Sequence, residues 1–251
     1  MENQPLVSVI MPCYNMERFI AYTIESVQRQ TYPHWELLIV DDASTDGTVD
    51  IIQRHCAQDE RIHLIVKPKH SGIADSRNQC IKTAKGQYLA FLDSDDMWHP
   101  EKLDFQLRFM TEQNIGFSYS SYDCIDETGV PMGKTVKAAG NLTYKAYMNN
   151  TIIGCSTVMV DTAIIGEVEV PNFRTSEDTA TWLNILKKGF LAYAIDKPLT
   201  SYRIRQYSAS SNKLKASSDL WRVYRQQEKL SFFKTLCCFI SYAFHAIKKR
   251  I

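Results

Sequence analysis

No stretch of this 251-residue chain reaches the about 18 apolar residues that a membrane-crossing helix needs. The longest apolar block, Leu236 to Ile247, is interrupted by Ser241 and His245. Met1-Glu2-Asn3-Gln4-Pro5 carries no basic segment, so no signal peptide is expected. Seven cysteines (Cys13, Cys56, Cys80, Cys124, Cys155, Cys237 and Cys238) form no CxxC pair and are odd in number. That argues against a disulfide framework and against a structural zinc site. Most lie among apolar neighbours and read as reduced core residues, which points to the cytoplasm. No GxGxxG follows the first apolar run, no GxxxxGK[ST] occurs, and no HExxH occurs. Dinucleotide-dependent dehydrogenases, P-loop phosphotransferases and zincin peptidases are thereby disfavoured.

What is present is ordinary in bulk and uneven in detail. A hydrophobic fraction of 45% and a charged fraction of 23% suit a folded chain long enough for a substantial core. The net charge of +1 hides an asymmetry. From Thr181 onward there are 14 Lys+Arg against 3 Asp+Glu, leaving 15 against 25 in front. A basic rear suits phosphates, on a substrate or on a membrane surface, or is simply a solvated helix face.

Strand and helix patterns alternate through the first hundred residues. Val7–Met11, Trp35–Val40, Ile62–Val66 and Tyr88–Leu92 are short apolar runs bounded by polar or turn residues. Between them, Glu17–Gln30, a segment from a Ser44 cap to about Ala57, and Ser71–Ala84 repeat apolar residues at helical spacing. This alternation predicts a parallel sheet with right-handed crossovers, whose ligands bind beyond the carboxyl ends of the strands. Tyr14 and Asn15, Asp41 and Asp42, and Asp93 to Asp96 all fall at such ends, predicting one shared cleft. Further on, helices are expected at Pro100–Asn114 and Glu177–Lys188, the latter closed by Gly189. Strands are expected at Ile115–Ser121, Cys155–Val160 and Phe190–Ile195, with a turn at Asp126-Glu127-Thr128-Gly129. From about Ser217 the spacing of Phe232, Phe233, Leu236, Phe239, Ile240, Ala243 and Ile247 is helical, followed by Lys248-Lys249-Arg250. Such a tail lies on an anionic surface or packs on the domain.

The chemistry concentrates in carboxylates. In Asp93-Ser94-Asp95-Asp96, residues two apart in extended chain face one side, so Asp93 and Asp95 converge on one cation or divide between cation and ribose. Acids this close repel unless a cation neutralises them, and hard oxygen donors suit Mg²⁺ or Mn²⁺. The plain alternative is a solvated acidic turn. Asp41-Asp42 either accepts from a uracil N–H or a ribose hydroxyl, or caps a helix. Tyr14 stacks on a base or packs, and Arg77 pairs with phosphate, with the aspartates, or at the surface. Ser176-Glu177-Asp178 opens a helix, where first-turn acids favour the dipole. The same position suits a general base that takes the proton of an attacking hydroxyl.

Taken in order, Val7-Ser8-Val9-Ile10-Met11-Pro12-Cys13-Tyr14-Asn15, Val40-Asp41-Asp42-Ala43-Ser44-Thr45-Asp46-Gly47-Thr48 and Gly86-Gln87-Tyr88-Leu89-Ala90-Phe91-Leu92-Asp93-Ser94-Asp95-Asp96 resemble the family 2 glycosyltransferases over about residues 5 to 210. The resemblance implies an α/β, GT-A fold: a Rossmann-like, mostly parallel sheet flanked by helices, here with an amphipathic helical tail. It implies a transferase domain over 1–212, with a nucleotide-binding half to about 98 and an acceptor half after it, and a basic tail over 213–251. Carried over position by position, Pro12, Tyr14 and Asn15 line the base pocket, Asp42 reads the base with Asp41 beside it, and Arg77 supports the nucleotide. Asp93, Ser94 and Asp95 match the DxD motif, and the cation, Mn²⁺ or Mg²⁺, falls to Asp95, Asp93 and Asp96. Asp178 matches the catalytic base, with Glu177 and Trp182 toward the acceptor. Tyr202-Arg203-Ile204-Arg205-Gln206-Tyr207-Ser208-Ala209-Ser210 resembles a late loop often written YRxHxxSxS, with Arg205 in place of the histidine. Arg205 keeps positive charge for the diphosphate but does not titrate near neutrality, which sets aside a metal-ligand role at that position.

Family members invert the anomeric centre, so an α-linked UDP-sugar, preferably UDP-glucose or UDP-galactose, is expected to give a β-linked product. The tail around Leu220-Trp221-Arg222-Val223-Tyr224-Arg225 resembles small bacterial O-antigen, capsule and teichuronic acid enzymes. That implies a GlcNAc- or GalNAc-diphosphate-undecaprenol acceptor, a peripheral place on the cytoplasmic face of the inner membrane through the tail, and no nucleic-acid partner. Processive polysaccharide synthases usually add a QxxRW motif and membrane spans, and neither is found. A silent nucleotide-sugar binding protein has no need of both the aspartate tract and Asp178. A nucleotidyltransferase needs a Gly-rich basic loop where Cys13-Tyr14-Asn15-Met16-Glu17 stands.

Overall fold

A computed structural model describes residues 4–205 and 213–248. The four apolar runs at the front become β1 (Val7–Cys13), β2 (Trp35–Asp41), β3 (Ile62–Val66) and β4 (Tyr88–Phe91), linked by α1 (Ile20–Gln28), α2 (Thr48–Cys56) and α3 (Ile73–Thr83). β1, β2 and β4 are buried along their whole length, as a strand covered by helices on both faces must be, while β3 at the edge is half exposed. Alternate residues point to opposite faces: Ile10, Leu38 and Val40 enter one core, and Val9, Met11, Leu37 and Ile39 the other.

The second half follows as β5 (Met97–Trp98), α4 (Lys102–Gln113), β6 (Phe117–Ile125), β7 (Pro131–Val136), α5 (Tyr144–Asn149), β8 (Val158–Asp161), α6 (Thr162–Ile165), α7 (Glu177–Lys187) and β9 (Tyr193–Arg203). All strands join one nine-stranded sheet in the order β3-β2-β1-β4-β8-β6-β9-β5, with β7 added on β6. β3, β2, β1 and β4 are parallel, β8 runs antiparallel to both β4 and β6, and β6 pairs with β9 in parallel. The sheet is therefore mixed, with its parallel part confined largely to the front.

Several boundaries move for identifiable reasons. β1 continues through Pro12 to Cys13, because pairing with β4 ends at Ile10 and the proline lies where β1 has a neighbour on one side only. α2 begins at Thr48, not at Ser44. Asp46 accepts from the Thr48 amide at 3.1 Å, while Ser44 is drawn back to Asp41. β9 runs on past Ile195 to Arg203, and register shifts around Ser120–Tyr122 let its partner β6 stay paired across Pro198. The turn at Asp126–Gly129 joins β6 to β7: Asp126 Oδ1 accepts from the amides of Thr128 and Val130, and Gly129 takes φ +90°.

The tail forms α8 (Lys213–Arg222), a π-helical turn at Val223–Gln227, and α9 (Phe232–Lys248). It is docked on the domain. Tyr224 Oη donates to the Met148 carbonyl at 2.7 Å, Gln227 Nε2 to that of Ala180 at 3.0 Å, and Ser241 Oγ to that of Asn149 at 3.0 Å. Glu228 receives Tyr144 Oη at 2.5 Å and Lys187 Nζ at 3.0 Å. Thr235 and Cys238 face inward, whereas Phe233, Leu236 and Ile240 are exposed. One face of α9 thus packs, and the opposite face is apolar as well. Gln206 to Ser210 of the late loop, and Lys249-Arg250 of the tail, lie outside the described residues.

Candidate active site

Where β1 and β2 end together, their loops are sewn to each other. Asn15, at φ +52°, donates its amide to Ser44 Oγ at 2.8 Å and accepts from the Thr45 amide at 2.8 Å. Asp41 accepts from the Ser44 amide at 2.9 Å and from the Ser44 hydroxyl, closing a turn through Ala43 at φ +64°. Pro12 is buried within β1, and Tyr14 stands at the surface with its ring 4.4 Å from that of His70. Asp42 is nearly buried and fully occupied. Its oxygens accept from the amides of Ser71 (2.9 Å) and Gly72 (2.7 Å) and pair with Lys67 Nζ (2.8 Å) and His70 Nδ1 (2.8 Å). Burial alone raises this carboxyl, but Lys67 and the two amides outweigh it and hold it below its ordinary range. Both acids therefore shape the loops at the ends of β1 and β2. Gly72, at φ +100°, turns its amide toward Asp42 at the start of α3.

At the end of β4 the second acid tract is arranged differently. The Asp93 amide donates to Ser156 Oγ at 3.1 Å, and Asp93 Oδ1 receives Arg77 Nη2 at 2.5 Å. Ser94 is buried, its carbonyl accepting from Thr23 Oγ1 at 3.1 Å. Asp96 is turned inward, one oxygen taking the Ser156 hydroxyl at 2.6 Å and the other the Arg203 amide at 2.8 Å. Burial, with Asp95 and Asp93 nearby, holds the Asp96 carboxyl well above its ordinary range. Asp93 and Asp95 are both partly exposed, whereas Asp96 is not. Asp95 Oδ2 lies 2.7 Å from Arg205 Nε, out of line for a hydrogen bond, so the contact is an ion pair. Burial raises the Asp95 carboxyl, Arg205 pulls it down, Asp93 pushes it up, and it ends above the ordinary range.

Arg77 is buried and bridges two elements. Nη1 reaches Glu177 Oε1 at 2.6 Å while Nη2 holds Asp93. The guanidinium thus supports the site from inside, between the end of β4 and the first turn of α7, rather than from its surface. Glu177 is also buried, and its Oε2 has no partner among the described residues. Burial lifts Glu177 to about 7, Arg77 opposing and Asp178 adding. Asp178 is half-buried, accepts from the Thr179 amide at 2.6 Å, and is likewise raised by burial against the pull of Arg77. Trp182, expected toward the acceptor, is in the core instead: its ring meets Phe91 edge-on at 5.0 Å and Phe117 at 5.4 Å. The reason is its place one helical turn beyond Asp178, on the side of α7 that faces the sheet.

Three participants escaped the sequence reading. Ser156 ties Asp93 to Asp96 from the turn before β8. Lys67 neutralises Asp42 from the end of β3. Arg203 holds the Asp95 carbonyl through Nε at 2.7 Å and the carbonyls of Asp126 and Glu127 through Nη1. Ser156 and Lys67 sit in no distinctive local motif, and Arg203, although within the late-loop motif, is defined by what folding brings beside it.

A divalent cation fits this donor set. Among the described residues no three His, Cys, Asp or Glu side chains form a ready cage. Mg²⁺-type sites, however, are commonly made by one or two carboxylates plus substrate phosphates. Asp95, partly exposed and repelled by Asp93, supplies hard oxygen, its charge countered by Arg205 in direct contact and by Arg203 nearby.

Comparison with known proteins agrees. Residues 8–165 match the model described as glycosyl transferase family 2. The chain is 49% identical over 248 residues, 99% of its length and 98% of the other's, to the putative teichuronic acid biosynthesis glycosyltransferase TuaG of Bacillus subtilis (strain 168). It is 40% identical over 220 residues, 87% of its length and 85% of the other's, to the Escherichia coli UDP-Glc:alpha-D-GlcNAc-diphosphoundecaprenol beta-1,3-glucosyltransferase WfgD. Its fold superposes on residues 1–349 of S. aureus TarS in complex with UDP-GlcNAc with a TM-score of 0.73 at 22% identity, covering 87% of this chain and 64% of that one. It also superposes on the mannosyltransferase PcManGT of Pyrobaculum calidifontis in complex with GDP-Man and Mn²⁺, with a TM-score of 0.68 at 18% identity, over 96% and 70% of the two chains. The sheet order, the paired acid tracts and these matches together place the chain in glycosyl transferase family 2, as a glycosyltransferase of GT-A fold.

Proposed function

We propose that the chain transfers glucose or galactose from its UDP-linked form to the sugar of a GlcNAc- or GalNAc-diphosphate-undecaprenol, with inversion to a β-linkage, in the assembly of a surface polysaccharide. The observation that carries this reading is the Arg77 bridge. By holding Asp93 and Glu177 at once, it fixes the acid tract at the end of β4 against the first turn of α7, where Asp178 stands. In this reading the base and the acid tract that faces the diphosphate are held close together by one guanidinium. The relatives favour the lipid-linked acceptor and the UDP-sugar, since WfgD is described by that donor and acceptor.

In this reading an acceptor hydroxyl oxygen attacks the anomeric carbon, the bond from that carbon to the diphosphate oxygen breaks, and Asp178 takes the hydroxyl proton. A base that acts only in the transition state raises turnover without tightening the donor. The raised carboxyl of Asp178 makes it a stronger base than a solvated aspartate. Asp95, with Asp93 beside it, would hold Mn²⁺ or Mg²⁺, which when bound would stabilise the departing UDP by charge. Tyr14 and the Asn15–Asp42 loops border the base. Glu177 acts through Arg77 as a positioning residue.

The tail sets where this happens. Phe233, Leu236, Cys237 and Ile240 form an exposed apolar stripe on α9, and Phe233 is 79% exposed. From Lys229 to the end the sequence holds five basic residues and no acidic one. Such a face suits the anionic cytoplasmic surface of the inner membrane, on which the lipid-linked acceptor is carried. Phe233→Ser with Ile240→Ser is expected to lower co-sedimentation with phosphatidylglycerol vesicles and leave transfer to a water-soluble acceptor intact.

The test is a panel of nucleotide sugars with a synthetic GlcNAc-diphosphate-lipid and Mn²⁺. Release of UDP with a heavier lipid product from one donor is the expected result, abolished by EDTA and restored by Mn²⁺ or Mg²⁺. Turnover undiminished in chelator contradicts the cation assignment, and absence of any UDP binding contradicts the donor assignment.

A further inference from the structure

Three arginines surround the second acid tract, and they are held very differently. Arg77 is buried between two carboxylates. Arg203 spends its amide and guanidinium on Asp96, Asp95, Asp126 and Glu127. Arg205 touches one carboxylate oxygen of Asp95, the thioether of Met16 at 3.7 Å, and the face of Phe19 at 5.2 Å. A guanidinium offers five donors, and here, among the described residues, Nε has no aligned acceptor and Nη1 meets only the weak thioether acceptor of Met16. The ring of Phe19 is shared with Arg203, whose guanidinium carbon lies 5.1 Å from its centre, so like charges crowd the same apolar support.

We propose that Arg205 is an exchangeable counter-ion of Asp95: in the donor-free protein its guanidinium holds the place of the divalent cation, and it leaves that carboxylate for the donor diphosphate when the cation arrives. The physical case is one of competition. A cation approaching Asp95 must displace the guanidinium or accept its repulsion, because both bind the same carboxylate. The displaced group is the least committed of the three among the described residues, where moving it breaks one ion pair and no hydrogen bond to a carboxylate. Released near a diphosphate, the planar fork gains the bidentate acceptor it lacks. Empty enzyme is thereby relieved of uncompensated acid charge, and cation and donor bind as a set.

This inference rests on the assignment of the cation to Asp95, and the experiment separates the two. Mn²⁺ is titrated into nucleotide-free protein and free Mn²⁺ is read by electron paramagnetic resonance, for wild type, Arg205→Met and Asp95→Asn. Methionine keeps an apolar stem on Phe19 and removes the charge. The expected result is Mn²⁺ affinity about tenfold higher in Arg205→Met than in wild type and lost in Asp95→Asn. With UDP present the order reverses, and Arg205→Met binds the UDP–Mn²⁺ pair about tenfold more weakly. A residue that merely supported the fold would not raise metal affinity when removed. Unchanged or weaker Mn²⁺ binding in Arg205→Met, with binding lost in Asp95→Asn, overturns the exchange. Wild-type Mn²⁺ binding in Asp95→Asn overturns the cation assignment beneath it. Should Arg205→Met not fold, Arg205→Gln is read by the same criteria.

Discussion

Asp41-Asp42 and Asp93-Ser94-Asp95-Asp96 carry the same local signal, acids directly after a buried parallel strand, and the fold puts them to different uses. The first pair is spent. Asp41 closes a turn on Ser44, and Asp42 is saturated by two amides, a lysine and a histidine ring. In the second tract only Asp96 is spent in that way, on Ser156 and the Arg203 amide. Asp95 faces a weakly committed arginine, and Asp93 leans on an arginine that reaches on to Glu177. Partners, rather than residue type or spacing, decide which carboxylate frames the pocket and which can exchange its counter-charge for a ligand.

The sharpest way to break this comparison is at the base. Asp178→Asn is expected to lower kcat by about a thousandfold while UDP binding, read by calorimetry, stays near wild type. Equal losses in binding and turnover would make Asp178 another framing acid. Next in size is the pH profile. Both members of the Glu177–Asp178 pair are raised, Glu177 to about 7. The base works deprotonated, so kcat is expected to rise with pH, about tenfold per unit below the pair's titration, and to level off above it. A flat profile from pH 5 to 8 would contradict that assignment.

A smaller effect compares two buried lysines. Lys67 sits between Asp42 and Asp75 and is raised, burial notwithstanding. Lys102 is fully buried with no carboxylate, its Nζ donating to Gln106 Oε1 at 2.5 Å and lying 4.5 Å from the centre of the Trp98 ring. Burial lowers it from 10.5 to about 7. Between those values the unfolded chain holds a proton that the folded chain does not, so stability should climb with pH across that window. Below it both states are protonated and the burial cost is paid in full. Lys102→Met is expected to remove that slope and stabilise the protein near neutrality by about 1–4 kcal/mol, read by denaturant melts. A destabilised, still pH-dependent variant would contradict this.

How much of this was legible in the sequence follows from what is local. The parallel front was legible because strand, helix and turn signals each reside within a dozen residues. The second half was less so. β5 is two residues long, β7 is exposed, and β9 extends through Pro198, since pairing with β6 rather than its own pattern sustains it. At the site, sequence placed Asp93, Asp95, Arg77 and Asp178 as candidates. It did not reveal that Arg77 would be buried, that Asp42 would already be saturated, or that Trp182 would face the core. Each of those depends on residues about 30 to 100 positions away, such as Ser71 and Glu177.

The most direct test sets Asp42→Asn beside Asp95→Asn, measuring melting temperature and kcat on both. The account predicts that Asp42→Asn melts about 6–12 °C lower, from about 3 kcal/mol lost with a buried pair, while folded molecules keep kcat within about tenfold. Asp95→Asn should melt within about 2 °C of wild type and lose activity by about a hundredfold or more. The reverse pattern, a stable but inactive Asp42→Asn and an active but unstable Asp95→Asn, would contradict the division of labour between the two acid tracts.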